Sequence, residues 1–165
     1  AWFHQGLERL LDTLRTASAD LQCFTFVSGV APREFWIRRQ AHETAIHRAD
    51  IEAATGVSIT EVECWFAQDG LSEVVGAFAR EPQFALQGPG RLLLVASDGP
   101  SWKIDFDGNG NQVSVGQFAA ADADAVLYGT SDRLYRWAWN RPVDHLTATG
   151  DLTLLRAWRQ TVRLL

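Results

Sequence analysis

Arg91-Leu92-Leu93-Leu94-Val95-Ala96-Ser97-Asp98-Gly99-Pro100-Ser101-Trp102-Lys103-Ile104-Asp105-Phe106 is where the chain changes from a helical to a strand pattern. Leu92–Val95 is a short apolar run of strand length. Asp98-Gly99-Pro100 ends it with turn chemistry. In Ser101–Phe106, Trp102, Ile104 and Phe106 fall on one face and Lys103 and Asp105 on the other. That period of two predicts a half-buried strand, hence a hairpin with Arg91–Ser97.

Downstream, Asp107–Asn111 predicts a second turn, Gln112–Val115 a third strand and Ala123–Tyr128 a fourth. A helix capped at Thr130 or Ser131 then runs to Asn140. Leu146–Thr149 is a last strand, and Asp151 caps a final helix carrying Leu154, Leu155, Trp158 and Val162.

Upstream, the apolar spacing is helical. Phe3, Leu7, Leu10, Leu11 and Leu14 form one stripe over residues 2–15. Residues 16–31 break the pattern and read as a loop pinned to the core by Leu21, Phe24 and Phe26. Pro32 suits the first turn of a helix, which runs to about 54 and stops at Gly56, a left-handed terminator. The two long helices are expected to pack against each other. Residues 61–79 are helical, with Asp69-Gly70 as a turn between two stretches, and Glu81-Pro82 closes this half. The fold class is therefore α+β: a helical segment over 1–82 and a small α+β segment over 83–165, with Gln87–Gly90 as a joint.

The chain has 165 residues, 15 Lys or Arg, 20 Asp or Glu and a formal net charge of −5. Hydrophobic residues make up 47%, enough to bury a core rather than stay disordered. The acidic balance excludes a nucleic-acid binder, which needs a basic field. No apolar run approaches the roughly 18 residues of a membrane span, and the first residues lack the pattern of a signal peptide. Lys103 is the single lysine, so the other basic residues are arginines, a bias of high-GC bacteria. The absence of Met means a removed initiator or an internal piece of a longer protein. Cys23 and Cys64 are too few and too far apart for a disulfide framework, which points to a reducing cytoplasm.

The chemistry-bearing stretch is Arg38-Arg39-Gln40-Ala41-His42-Glu43-Thr44-Ala45-Ile46-His47-Arg48-Ala49-Asp50. Glu43 and His47 are spaced i, i+4, so their Cβ atoms stand about 6 Å apart on one helix face. An imidazole and a carboxylate there can reach one zinc or iron ion, or can form only a solvated ion pair. His42 points about 100° away and reads as a partly buried, hydrogen-bonded histidine rather than a ligand. Arg39, four residues before Glu43, can hold its carboxylate or form a surface salt bridge. Arg141, after Trp137-Ala138-Trp139-Asn140, is either an anion-binding guanidinium or a helix-end cation facing the dipole. His145 takes no role, Gly108-Asn109-Gly110 is a turn rather than a phosphate loop, and no Ser–His–Asp or Cys–His set can be assembled.

The same stretch resembles the last bundle helix of the mycothiol-dependent maleylpyruvate isomerase family, which reads R-R-x-A-H-E-T-A-V-H-R-x-D there. Ala67-Gln68-Asp69-Gly70-Leu71-Ser72-Glu73 is similar to its A-x-D-G-x-x-E segment. Ala125–Thr130, Leu134–Arg141 and Gly150-Asp151 resemble its C-terminal domain. The resemblance implies part of a DinB-like metal-binding bundle over 1–82 and a sterol-carrier-like α+β domain over 83–165. It implies an actinobacterial source and a divalent metal, usually zinc, held by two histidines and a glutamate. Glu43 and His47 match two of those ligands. The third lies on an earlier helix, ahead of the segment that Ala1 begins, and His4 does not match it. The chain on its own is therefore expected to have an incomplete site that binds zinc weakly or not at all, and to self-associate through an exposed bundle face.

Two functions follow. One is a metal- and mycothiol-dependent enzyme whose metal lowers the pKa of a small thiol. The thiolate then adds to an electrophilic, unsaturated, carboxylate-bearing substrate. Addition, bond rotation and elimination give a cis–trans isomerisation, and addition alone gives a transferase. Glu43 and His47 are the ligands there and Arg141 the catalytic substrate anchor. The alternative is a non-catalytic ligand-binding or regulatory protein on the same fold.

Overall fold

A computed structural model describes residues 2–163. The chain forms two compact units, Ala1–Val57 and Ser58–Leu165. Among the described residues, five α-helices and one five-stranded sheet give the expected α+β class.

In the first unit, α1 spans Trp2–Thr16 and α2 spans Pro32–Thr55. Pro32 opens α2 at a position where its missing N–H costs nothing. Gly56 ends it at φ 72°, with its N–H on the Ala53 carbonyl and the Val57 N–H on that of Glu52. Those two bonds satisfy carbonyls that the last turn leaves without helical partners. Phe35, Arg39, His42, Ile46 and Ala49 form the buried stripe of α2, at a 4-3-4-3 spacing.

Two expectations for this unit need correction. No residue of α1 is buried, and its apolar stripe of Leu7, Leu10 and Leu11 is uncovered. The helices meet at the end of α1, where Arg33 Nε and Nη2 donate to the Leu14 and Arg15 carbonyls at 3.3 and 3.1 Å. In the connecting loop the buried residue is Val27, whereas Phe24 is 69% exposed. The loop is held by polar and ring contacts instead. Trp36 Nε1 donates to the Phe24 carbonyl at 3.0 Å, and the Phe26 ring stands against Phe35 and Trp36.

The second unit begins with α3, Cys64–Val74. Asp69-Gly70 lies inside this helix rather than between two, and Gly70 is buried. The strands are β1 (Gly90–Ala96), β2 (Ser101–Phe106), β3 (Asn111–Gly116), β4 (Ala125–Gly129) and β5 (Thr147–Gly150). Their order is β3-β2-β1-β4-β5, antiparallel throughout except for the parallel pair β1 and β4. The expected hairpin is present, with Leu92 opposite Ile104 and Leu94 opposite Trp102. Leu92, Leu93 and Leu94 are all buried, so both faces of the central strand are covered. α4 (Ser131–Ala138) and α5 (Leu152–Thr161) both pack on β1 and β4.

α3 also packs on α4, with the Phe66 and Tyr135 rings edge to face at 6.2 Å. Asp132 Oδ1 accepts from the Val62 N–H at 3.1 Å, while Oδ2 takes the Arg136 guanidinium at 2.6 Å. The stretch before α3 is therefore tied to the first turn of α4, and α3 belongs with the sheet. Asn111 makes a second tie. Its amide donates to the Ala79 and Phe84 carbonyls at 2.7 and 2.8 Å and accepts from the Leu86 N–H.

Asp98 caps α4 from the β1–β2 turn. Its Oδ1 accepts from both the N–H and the hydroxyl of Ser131, each at 2.7 Å. Partial desolvation opposes ionisation of Asp98, but the hydrogen bonds from the Ser131 hydroxyl and N–H, from its own backbone and from Cys64 together outweigh it and hold the carboxyl below the usual range. A carboxyl with a depressed folded pKa stabilises the fold above the ordinary carboxylate range. That contribution is lost as pH falls through the depressed value. Urea unfolding of Asp98→Ala should therefore show a stability deficit at neutral pH that narrows in acid. Gly150, at φ 81°, tests the backbone, because a Cβ there would run into the Asp124 carbonyl oxygen. Gly150→Ala should cost about 1–3 kcal/mol in the same assay.

Candidate metal centre

All the residues of the expected site except Arg141 lie on α2. Arg39 and Glu43 are one turn apart, His47 is one turn further, and Asp50 lies three residues beyond. Glu43, His47 and Asp50 each stand one position after a buried residue (His42, Ile46 and Ala49), so they follow the flank of the buried stripe.

The bonds along this flank form a ladder. Arg39 is 3% exposed, and its Nε and Nη2 both reach Glu43 Oε1, at 3.1 and 2.7 Å. The other carboxylate oxygen, Oε2, stands 3.1 Å from His47 Nε2. The second ring nitrogen, Nδ1, stands 3.1 Å from Asp50 Oδ2. A charge-assisted bond from a buried guanidinium is worth about 1.5–3 kcal/mol, and an exposed i, i+4 ion pair about 0.3–0.5. Arg39, not His47, therefore sets the orientation of Glu43.

The pair fits a small divalent cation. With donor–cation distances of about 2.0–2.1 Å, two donors on one ion lie about 2.9 Å apart at a right angle and about 3.3 Å apart at the tetrahedral angle. The 3.1 Å between Oε2 and Nε2 falls between those limits. Without a cation, the same distance is an ordinary hydrogen bond. Among the described residues, no group of three or more His, Cys, Asp or Glu side chains comes together at one point that could hold a metal.

Two of the other histidines lie in the same unit, and His42 is buried more deeply than its partly buried sequence reading. It is 1% exposed, within the buried stripe. His4 is exposed on α1, its ring edge against Phe3.

Arg141 belongs to the second unit, just past α4. Asn140 ends that helix at φ 62°, with its N–H on the Trp137 carbonyl and the Arg141 N–H on that of Arg136. Arg141 Nη1 donates to the Trp139 carbonyl at 2.7 Å. The helix-end role considered from sequence is thus present in the bonding. Asp50 was quoted in the sequence motif but given no role, although an acid three residues after a histidine on a helix is the signal that finds it.

The chain matches two family models, the mycothiol maleylpyruvate isomerase N-terminal domain over residues 1–52 and the MDMPI C-terminal domain over residues 66–157. No curated protein matches it. Among solved structures, one described as a UbiJ-SCP2 ubiquinone synthesis protein aligns at 14% identity over 79% of this chain and 96% of its own, with a TM-score of 0.32.

The ladder makes its own prediction. Arg39→Met removes two charge-assisted bonds and leaves Glu43 without its anchor. Chemical denaturation should show a loss of about 2–3 kcal/mol, larger than that of His47→Ala, whose side chain is 57% exposed.

Proposed function

We infer the function from one premise: the chain belongs to the mycothiol maleylpyruvate isomerase family. We propose a metal- and mycothiol-dependent enzyme, an isomerase or thiol transferase acting on a small, electrophilic, carboxylate-bearing substrate. The observation that carries this reading is the spacing of Glu43 Oε2 and His47 Nε2, with the other Glu43 oxygen held by Arg39.

In this reading Glu43 and His47 hold a divalent cation, zinc being the fitting one for a carboxylate and an imidazole. When bound, the cation supplies the Lewis acidity that keeps a thiol as its thiolate at neutral pH. Glu43 brings the negative charge that offsets it. His47 brings a neutral donor. Arg39 keeps one carboxylate oxygen occupied, so that Glu43 offers the cation a single oxygen. A catalytic zinc site needs a third protein ligand and an open position, so the reading is tested on the full-length protein.

In this proposal the metal-holding part, read from sequence as residues 1–82, is the unit Ala1–Val57, and the sterol-carrier-like part that meets the substrate, read as residues 83–165, is the unit Ser58–Leu165, which includes α3. Arg141 is the proposed anchor for the substrate's carboxylate. The cytoplasm is the proposed compartment, a choice supported by the two free thiols, Cys23 and Cys64. No helix among the described residues is long and apolar enough to cross a membrane. The uncovered apolar stripe of α1 is the proposed face for self-association.

Bound zinc and thiol-dependent turnover, measured on three variants, test the assignment. His47→Ala should lose the metal, because the remaining ligands leave the cation mostly to water. Glu43→Gln should bind it more weakly, since a neutral amide does not offset the charge. Arg141→Ala should keep the metal and lose turnover. Retention of zinc by His47→Ala would move the site elsewhere, and full activity of Arg141→Ala would leave that residue as a helix cap alone.

A further inference from the structure

We propose that Asp50 is a positioning residue for the metal centre: it holds His47 so that Nε2, and not Nδ1, is presented to the cation. The inference rests on the metal-holding role of His47 proposed above.

His47 is 57% exposed, so neighbouring side chains do not lock its ring by packing. The χ2 torsion of histidine is broad and close to two-fold. A half-turn of the ring would exchange the two edges and carry Nε2 away from Glu43. What opposes that turn is Asp50. Its Oδ2 lies 3.1 Å from Nδ1, while Nε2 lies 3.1 Å from Glu43 Oε2 on the other side of the ring. Each nitrogen therefore has its own carboxylate. When Nδ1 carries the proton and donates it to Asp50, the lone pair on Nε2 points toward Glu43, the direction in which a shared cation must lie.

The pairing also divides the labour between the two carboxylates. Glu43 is anchored by a buried arginine on one oxygen and has the other toward His47. Asp50 meets the ring at Nδ1, on the far side from Glu43. A carboxylate behind a ligating imidazole fixes its tautomer and raises its basicity, and losing one typically weakens metal binding about 10–100-fold. The two supports, Arg39 behind Glu43 and Asp50 behind His47, bracket the two donors on a single helix.

The test uses the full-length protein, titrated with zinc against a competing chelator and loaded separately with cobalt(II) for proton NMR. Asp50→Ala should weaken zinc binding about 10–100-fold, and Asp50→Asn, which keeps a neutral acceptor, should fall between it and the wild type. In the cobalt form, the wild type should show the shifted, exchangeable Nδ1–H resonance of His47. Asp50→Ala should lose that resonance to solvent exchange, and Asp50→Asn should retain it. The metal-free melting temperature should move little in either variant. The proposal is overturned if Asp50→Ala binds zinc with wild-type affinity. It is also overturned if affinity falls while the resonance and its exchange are unchanged, which would mark a charge or folding effect. His47→Ala separates the two readings. If it still binds zinc, the metal centre itself is wrongly placed, whereas loss of zinc there with an unaffected Asp50→Ala removes only the role of Asp50.

Discussion

Every contact in the candidate site depends on α2 remaining one unbroken helix between Pro32 and Gly56. The four polar residues at 39, 43, 47 and 50 meet only because successive turns stack them at 5–6 Å. One extra residue between Glu43 and His47 would swing His47 by about 100° and separate the pair. The helix is secured at its ends by proline at the start and the left-handed glycine at the stop, and along its length by the 4-3-4-3 stripe of buried residues. That stripe does more than stabilise the helix. It fixes the rotation of α2 about its axis, so the flank carrying Glu43, His47 and Asp50 cannot turn into the interior without exposing Ile46 and Ala49.

The second unit is organised differently. Its central strand, β1, is paired on both sides and covered on both faces, and the local elements are joined by a few polar groups. Asp98 holds the start of α4 and Asp132 holds the stretch before α3. Asn111 fixes the 79–86 segment to the edge strand β3. Each of these side chains satisfies backbone groups that the ladder and the helices leave over. A buried backbone group without a partner costs more than a typical hydrogen bond contributes, so these few residues shape the path of the loops more than their number suggests.

Much of this was legible in the sequence, for identifiable reasons. The hairpin at 91–106 was readable because one covered face imposes a strict period of two. Both ends of α2 were readable because Pro32 and Gly56 act through local sterics. Asp69-Gly70 was misread as a turn because the same local rules favour a break there. The packing of α3 on α4 keeps the helix continuous through Gly70 instead. Phe24 and Leu21 looked like anchors because they are apolar, but burial is a long-range property, and it falls on Val27. In the candidate site, the contacts of Arg39 with Glu43 and of Glu43 with His47 were readable from the four-residue spacing. The role of Asp50 depends on which ring nitrogen it meets, and that is a matter of side-chain torsion, on which sequence spacing is silent.

Stability alone does not account for the ladder on α2. Burying Arg39 carries a desolvation cost that its bonds to Glu43 must first offset, and an apolar pair at 39 and 43 would continue the stripe of Phe35, Ile46 and Ala49 with neither that cost nor a carboxylate left without its partner. The outer pairs, Glu43 with His47 and His47 with Asp50, are exposed enough to be worth only a few tenths of a kcal/mol each. A costly buried charge supporting two weak surface pairs is a poor way to hold a helix together. It is an effective way to hold two donor atoms 3.1 Å apart, because the buried end is rigid and transmits its orientation through Glu43 to the exposed end. The distribution of burial along the ladder, tight at Arg39 and open at His47, is what a site needs when one end must be fixed and the other must receive a ligand from solution.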